Sequence, residues 1–379
     1  MKLLDVYPLF EVEPVKAKGS FIWDSNGNRY LDLYGGHAVI SIGHSHPHYL
    51  NCLSEQLGKI GFYSNSVKIG LQEELAEKLG KLSGYADYNL FLCNSGAEAN
   101  ENAFKLASFQ TGRKKIIAFS GSFHGRTSLA VAATDDKKIQ APVNEAAQIT
   151  FLPLNDADAF CSTISEETAA VIIEGIQGVA GVKAPSPGFL RLIRKSCDEK
   201  GVMMILDEVQ SGYGRTGKFF AHQYADVRPD IITVAKGMGN GFPVAGVLSA
   251  PHIKARHGML GTTFGGSHLA CAAAIAVLDV INSENLMQNA LVQGEYLSGK
   301  LRNTDGVKEV RGTGLMIGVE METPCAELRS ELLSEHKIFT GSSSCRNTLR
   351  ILPSLAIGRP LIDEFAEAFS LINSKPIVQ

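Results

Sequence analysis

Six short stretches of this chain are apolar at consecutive positions, and a strand that is apolar on both faces must be covered on both faces. They are YNLFLC (88–93), KKIIAF (114–119), AAVIIE (169–174), VMMIL (202–206), IITVA (231–235) and VAGVLS (244–249). In an open α/β sheet helices provide that cover. One of them is legible at GFLRLIRKSCDEKG (188–201), where Leu190, Ile193 and Cys197 share a helical face and Gly201 stops it. Earlier, GSFIWDSNGNRYLDLYGG alternates apolar and polar residues about SNGN, the pattern of a hairpin. Amphipathic helices and the short strands LMIGVEM (315–321) and LRILPS (349–354) follow towards the end. The expected fold is therefore α/β: a mostly parallel, doubly wound central sheet with a smaller α+β domain built from both termini. Its boundaries fall at 1–45 for the N-terminal segment of the small domain, 46–280 for the large domain and 281–379 for the C-terminal part.

Composition narrows the function. A chain of 379 residues, 45% hydrophobic and 20% charged, buries a large core. Its formal net charge of −3 offers no basic field for nucleic acid. No apolar run approaches the roughly 18 residues of a membrane span, and MKLLDVYPLFEVEP turns acidic too soon for a signal peptide. Seven cysteines without a C-x-x-C pair predict reduced thiols, most simply small core residues, in a cytoplasmic protein.

Chemistry in such sheets collects beyond the carboxyl ends of the strands. VMMIL runs into Asp207-Glu208-Val209-Gln210, IITVA into Lys236, and YNLFLC into Asn94-Ser95-Gly96-Ala97. Alone, Asp207 reads equally well as a cap and Lys236 as a surface lysine; together they suit one site. CNSGAEANENAFKLASFQTG has the form strand, turn, helix, and the helix opening at Ser95 and Gly96 presents unpaired N–H groups suited to a phosphate. Neither a P-loop nor G-x-G-x-x-G is present, so the phosphate would belong to something other than ATP or NAD. GSFHGRTS (121–128) contributes Phe123 and Arg126, the latter a clamp for a carboxylate unless it lies in a plain surface loop. GTTFGGSH (261–268) sets Thr262 and Thr263 beside glycines, as an anion site or simply a turn.

Taken in order, these motifs resemble the class III pyridoxal-phosphate aminotransferases of fold type I, and most of all their acetylornithine branch. The likeness runs from DSNGNRYLDLYGG and GHSHPHY through NSGAEANENAFKLA, SFHGRT, LDEVQSGYGRTGKFFAH and KGMGNGFPVAG to GTTFGGSHLAC, RGTGLMIGVEM and LRILPSLAI. Asp207 and Lys236 stand 29 residues apart within it. The resemblance implies that Lys236 joins the pyridoxal aldehyde covalently and that the glycines after it leave room for the cofactor and a turn. It implies that Asp207 keeps the pyridine nitrogen protonated, Gln210 bonds the ring's phenolic oxygen, and Phe123 stacks on the ring. Gly96 and Ala97 would bind the phosphate, with Glu208 and Val209 completing the cofactor site. Arg126 would hold the α-carboxylate of an N-acylornithine and Arg350 that of 2-oxoglutarate or glutamate, with Thr262 near the substrate. Thr263 would reach a partner subunit's phosphate, implying a homodimer with shared sites. The implied reaction moves a δ-amino group between N-acetylornithine or N-succinylornithine and 2-oxoglutarate in arginine biosynthesis, with ornithine or 4-aminobutyrate as alternative donors.

Three stretches depart from the family pattern. EGIQGVAGV (174–182) has Val179 where a glutamate commonly masks the arginine matching Arg350. YSNSVKIG (63–70) has Ser66 and Val67 where aromatic residues are usual, and Leu260 stands where histidine is frequent. A free Arg350 would suit a substrate with an additional carboxylate, such as N-succinylornithine. Rival readings are a metal hydrolase using His44, His46 and His48, alternating as along a strand, and a nicotinamide oxidoreductase lacking its glycine fingerprint. No metal ligand set is otherwise expected.

Overall fold

The computed structural model describes residues 1–374, so positions 375–379 of the expected C-terminal part lie outside the described residues. β1 (Pro14–Lys18), β2 (Phe21–Asp24) and β3 (Arg29–Asp32) form an antiparallel meander, with the hairpin where SNGN predicts it. The Asp24 carboxylate fixes that turn by accepting the backbone N–H groups of Asn26 and Asn28 at 3.0 and 2.8 Å.

Seven strands form the central sheet: β4 (Asn89–Cys93), β5 (Lys115–Phe119), β6 (Ile149–Leu152), β7 (Thr168–Glu174), β8 (Met203–Asp207), β9 (Ile231–Val234) and β10 (Ala245–Ser249). Their spatial order is β4-β10-β9-β8-β7-β5-β6, and only β10 runs against its neighbours. All six consecutive-apolar runs lie in this sheet. The strand they did not reveal, β6, is a short edge strand whose side chains are mostly half-exposed, so it lacks a continuous apolar run.

The double winding is visible residue by residue. Ile116, Ala118, Ala170, Ile172, Met203 and Ile205 pack against the helix Gly96–Thr111 through Ala99, Ala103, Phe104 and Ala107. Their sequence neighbours Ile117, Phe119, Val171, Ile173, Met204 and Leu206 pack on the other face against the helix Pro187–Lys200 through Phe189, Leu190, Ile193 and Cys197. Period-two alternation between two apolar layers is why these runs are apolar throughout. Gly112 and Gly201 end the two helices in left-handed conformations at φ 70 and 59.

Near the C-terminus β11 (Val307–Thr313) and β12 (Met316–Met321) form a hairpin. β13 (Ile338–Phe339) instead pairs in parallel with β3, and β14 (Thr348–Ile351) joins β12. The smaller flanking domain therefore draws on both ends of the chain. Among the described residues no single helix is long and apolar enough to cross a membrane. All seven cysteines are unpaired. Cys93, Cys197, Cys271 and Cys325 are buried as expected, but Cys161 is exposed and Cys52 and Cys345 only partly covered, because they sit on outer helix faces or in a loop.

Two glycines of the helix Leu286–Leu301 separate packing from propensity. A Cβ on Gly294 would stand 2.0 Å from the Gly314 carbonyl oxygen, whereas Gly299 has nothing within 4 Å. Gly294→Ala is expected to cost about 2 kcal/mol or more through overpacking, and Gly299→Ala to gain roughly 0.5–1 kcal/mol. Urea unfolding of the two variants checks this; equal effects would contradict the contact.

Candidate active site

Three strand ends lie side by side. In the register of the sheet Glu174 of β7 pairs with Asp207 of β8, which pairs with Thr233 of β9. Two residues beyond the end of β9 the chain enters a tight turn at Lys236, which has φ 45. Parallel strands ending together thus bring two carboxylates and an amine to one cavity of about 410 Å³.

Asp207 is 3% exposed and its carboxylate is held from three sides. Oδ2 meets Asn100 Nδ2 at 2.8 Å and His124 Nδ1 at 2.7 Å, and Oδ1 accepts the Val209 N–H at 3.0 Å. Asn100 is itself fixed, giving a hydrogen bond to the His124 carbonyl at 2.7 Å and accepting one from Thr233 Oγ1 at 2.7 Å. Glu174 accepts the Phe123 N–H at 2.9 Å and the Gly178 N–H at 3.3 Å. Burial, and then the charge of Asp207, push Glu174 up to about 7 against the opposing pull of His124. Lys236 is made less basic mainly by desolvation, which outweighs the attraction of Asp207 and Glu174; Arg350 adds to the lowering.

The turn after Lys236 is anchored by protein contacts more than it is open to ligand. Ser41 Oγ donates to the Gly237 carbonyl at 2.8 Å, Tyr49 Oη to the Gly239 carbonyl at 2.7 Å, and Asn240 Oδ1 accepts the N–H groups of Ser41 and Ile42. Of the turn's glycines, Gly241 lines the cavity, whereas a Cβ on Gly239 would lie 2.1 Å from the Phe242 carbonyl oxygen. The expectation that these glycines leave room for a cofactor applies to Gly241; Gly239 is required by backbone.

Of the residues predicted from sequence, Gly96, Ala97, Phe123, Arg126, Asp207, Val209, Gln210 and Lys236 line this cavity. Glu208 does not. The next residue after Asp207 turns to the other side, where its carboxylate accepts Ser211 Oγ at 2.6 Å and the Ala221 and His222 N–H groups at 3.1 and 2.9 Å and meets His222 Nδ1 at 2.7 Å. Thr262 is outside the cavity wall but touches it, accepting from Asn94 Nδ2 at 3.2 Å. Thr263 is exposed and is not part of its wall. Arg350, 4% exposed, reaches the site through Gln210: its Nη1 donates to Gln210 Oε1 at 3.4 Å, while Gln210 Nε2 donates to the His37 carbonyl at 3.1 Å. Ser66 and Val67 are exposed and do not line this cavity, and Leu260 packs against the core.

Sequence reasoning missed Glu174, His124, Asn100 and the segment 34–38. Glu174 carried the same signal as Asp207, a polar residue closing an apolar strand. The segment carried none: Gly35, Gly36, His37 and Ala38 take left-handed φ of 54, 55, 68 and 64, unfavourable at the two non-glycine residues. The histidine triplet does not form a site. Pro47 starts the helix Pro47–Lys59 instead of continuing a strand. His44, His46 and His48 then meet three different carboxylates, Asp32, Glu284 and Asp279, at 2.8, 2.9 and 3.5 Å. Among the described residues no cluster could hold a metal ion.

The donor set fits pyridoxal phosphate. One fixed carboxylate suits a protonated ring nitrogen, one amine of lowered basicity suits an aldehyde, and the amino end of the helix Gly96–Thr111 suits a phosphate. Gly125 has φ 137 and a Cβ there would lie 2.6 Å from Ala97 Cβ, so the Phe123–Arg126 loop presses directly on that helix end.

Comparisons with known proteins agree. The class-III aminotransferase family model matches residues 5–372. The chain is 40% identical to the acetylornithine aminotransferase of Bacillus subtilis over 378 residues, 98% of this chain and 96% of that one. It is also 40% identical to that of Methanosarcina mazei over 356 residues, 93% and 89% of the two chains. Among solved structures it is similar to the ornithine aminotransferase of Toxoplasma gondii (TM-score 0.91, 27% identity, covering 98% of this chain and 93% of that one). It is likewise similar to the acetylornithine aminotransferase of Elizabethkingia anophelis (TM-score 0.84, 30% identity, 97% and 95%).

Glu174 gives a signed pH dependence. Its pKa rises from 4.5 to about 7 on folding, so the native state binds more protons than the unfolded chain in between. Its contribution therefore lowers stability as pH climbs through that window. In cofactor-free protein, Glu174→Gln should gain stability relative to wild type between pH 4.5 and 7, as read from urea midpoints. A pH-independent difference would refute the assignment.

Proposed function

The chain belongs to the class-III aminotransferase family and uses pyridoxal phosphate, and from that premise we propose that it transfers the δ-amino group of an N-acylornithine, acetylated or succinylated, to 2-oxoglutarate in arginine biosynthesis. The observation that carries the chemistry is the meeting of Lys236 with the clamped carboxylate of Asp207 in one cavity. Kinship at 38–40% identity to acetylornithine aminotransferases supports the donor.

When bound, pyridoxal phosphate supplies an aldehyde carbon that takes up an amine and a ring that draws off the electron pair left when a C–H bond breaks. Asp207, unable to turn away from Asn100 and His124, keeps a proton on the ring nitrogen. Lys236 Nζ would hold the aldehyde carbon at rest. Desolvation favours its neutral form, so once displaced it would take the proton from the donor's δ-carbon and deliver it to the former aldehyde carbon in the same half, and would move a proton the opposite way, to the α-carbon of the new glutamate, in the acceptor half. Gln210 has a second amide N–H, beyond the one given to His37, for the ring's phenolic oxygen. Phe123, Val209, Gly96 and Ala97 line the same cavity, where Phe123 would cover the ring, Val209 would border it, and Gly96 and Ala97 would hold the phosphate. Glu208 acts from behind, fixing the turn that aims Asp207 and Gln210. Arg126 binds the α-carboxylate of the donor, Thr262 stands near it, and Arg350 binds that of 2-oxoglutarate.

Thr263 serves the site of a second copy. Supporting this, Phe62, Tyr63 and Phe264 lie exposed, with Phe62 and Phe264 5.3 Å apart. An apolar patch of this kind beside an incomplete site suits a homodimer. Unpaired cysteines fit a cytoplasmic enzyme.

Borohydride reduction of the yellow holoenzyme should fix the cofactor's mass on the peptide bearing Lys236; mass on another peptide ends this account. Donor profiling with 2-oxoglutarate should give kcat/KM for the better N-acylornithine at least about tenfold above 4-aminobutyrate. A better 4-aminobutyrate would overturn the donor assignment, and the acetyl-to-succinyl ratio identifies the acyl group.

A further inference from the structure

Glu174 is a buried carboxylate in the cavity wall that neither the ring-nitrogen contact nor the proton transfer uses. Its main chain is held firmly. The residue pairs with Asp207 across the sheet, and the next N–H, from Gly175, donates to the Asp207 carbonyl at 3.2 Å. A Cβ on Gly175 would stand 2.6 Å from Glu208 Oε1, so the strand end is packed from behind as well. From this fixed base the side chain accepts two backbone hydrogen bonds. Oε1 takes the Phe123 N–H at 2.9 Å, and Oε2 the Gly178 N–H at 3.3 Å. Gly178 is where the backbone presses on Gln210, since a Cβ there would lie 1.7 Å from Gln210 Oε1. One carboxylate thus ties the loop of Phe123 to the turn against which Gln210 packs.

The charged and titratable groups that act on Glu174 come from four other segments. They are His124 after β5, Asp207 at the end of β8, Lys236 beyond β9 and Arg350 on β14. His124 is engaged with Asp207 at 2.7 Å, and Arg350 with Ser342 and Gln210. Lys236 feels Glu174 through space, as a negative charge that favours its protonated form. The two N–H donors are likewise best met by an ionised carboxylate, because a proton on one oxygen competes with one of them. Ionisation of Glu174 therefore tightens both tethers and places a charge near the amine in a single event.

We propose that Glu174 is a positioning residue: its two oxygens hold Phe123 and the Gly178 turn in place, and its ionisation sets how tightly the nitrogen of Lys236 keeps a proton in the holoenzyme. The inference rests on the reading above that Lys236 carries the cofactor, and it is independent of the donor.

The test follows the absorbance of the yellow holoenzyme as pH is varied, in wild type, Glu174→Gln and Glu174→Asp. Glutamine keeps the size of the side chain and removes its charge, so the midpoint of the colour change should fall by about one pH unit. Aspartate keeps the charge but shortens the reach to Phe123 and Gly178. Its midpoint should stay near that of wild type, while pyridoxal phosphate dissociates about tenfold faster. An unmoved midpoint in Glu174→Gln, an equal shift in both variants, or wild-type retention of cofactor by Glu174→Asp overturns the proposal. In wild type alone the colour change should spread wider than one proton's titration, because Glu174 ionises within the same range. A one-proton curve overturns the proposal whether or not the variants fold. Borohydride trapping on the same samples separates the two readings. Mass on the Lys236 peptide with an unmoved midpoint removes this inference and leaves the cofactor assignment standing; mass elsewhere removes both.

Discussion

The hydrogen-bonded clamp on Asp207 is the constraint around which the site is arranged. A carboxylate this enclosed is tolerated only with its partners in place. Those partners come from the helix Gly96–Thr111, the loop after β5 and the turn after β8. Each belongs to a different segment of the chain, so the clamp fixes the helix end at Gly96, the loop carrying Phe123 and the turn after β8 relative to one another. Asn100 extends the arrangement to β9 through Thr233, three residues before Lys236. Sheet register thus sets where the turn bearing Lys236 begins relative to Asp207.

Charge around the cavity is unevenly distributed. Carboxylates crowd the sheet side, where Glu174 and Asp207 stand in register and where burial first, and the charge of Asp207 after it, make Glu174 hold its proton more tightly. Cations occupy the outer side, with Arg126 exposed at the mouth and Arg350 buried behind Gln210. The amine lies between them and responds to both, raised by the carboxylates and lowered by Arg350. Such a gradient suits a ligand with a cationic ring nitrogen at one end and carboxylates at the other.

Much of this was legible in the residues. Two-faced apolar strands announced the covered sheet, and polar groups closing those strands marked the site, because a strand end buried on both sides rarely carries charge without use. What was not legible depended on pairing across long separations. That Glu208 faces away from the cavity while Asp207 faces it follows from the turn after β8, not from composition. His124 reads as one more residue in a loop until Asp207 is found 83 residues away. The left-handed run 35–38 is invisible because two of its members are residues that ordinarily avoid that conformation. The histidine triplet misleads for the converse reason: spacing suggested a shared ligand, whereas Pro47 turned the segment into a helix.

The pairing of β13 with β3 has a consequence for how the chain is made. More than three hundred residues separate those two strands, and Arg350 and the sheet that holds it lie still later. During vectorial synthesis the sheet with Lys236 and Asp207 is complete well before the chain that closes over it leaves the ribosome. Until then β3 of the first meander waits without its partner strand beside the completed sheet, a slow, non-local closure of the kind that exposes a chain to association with its neighbours.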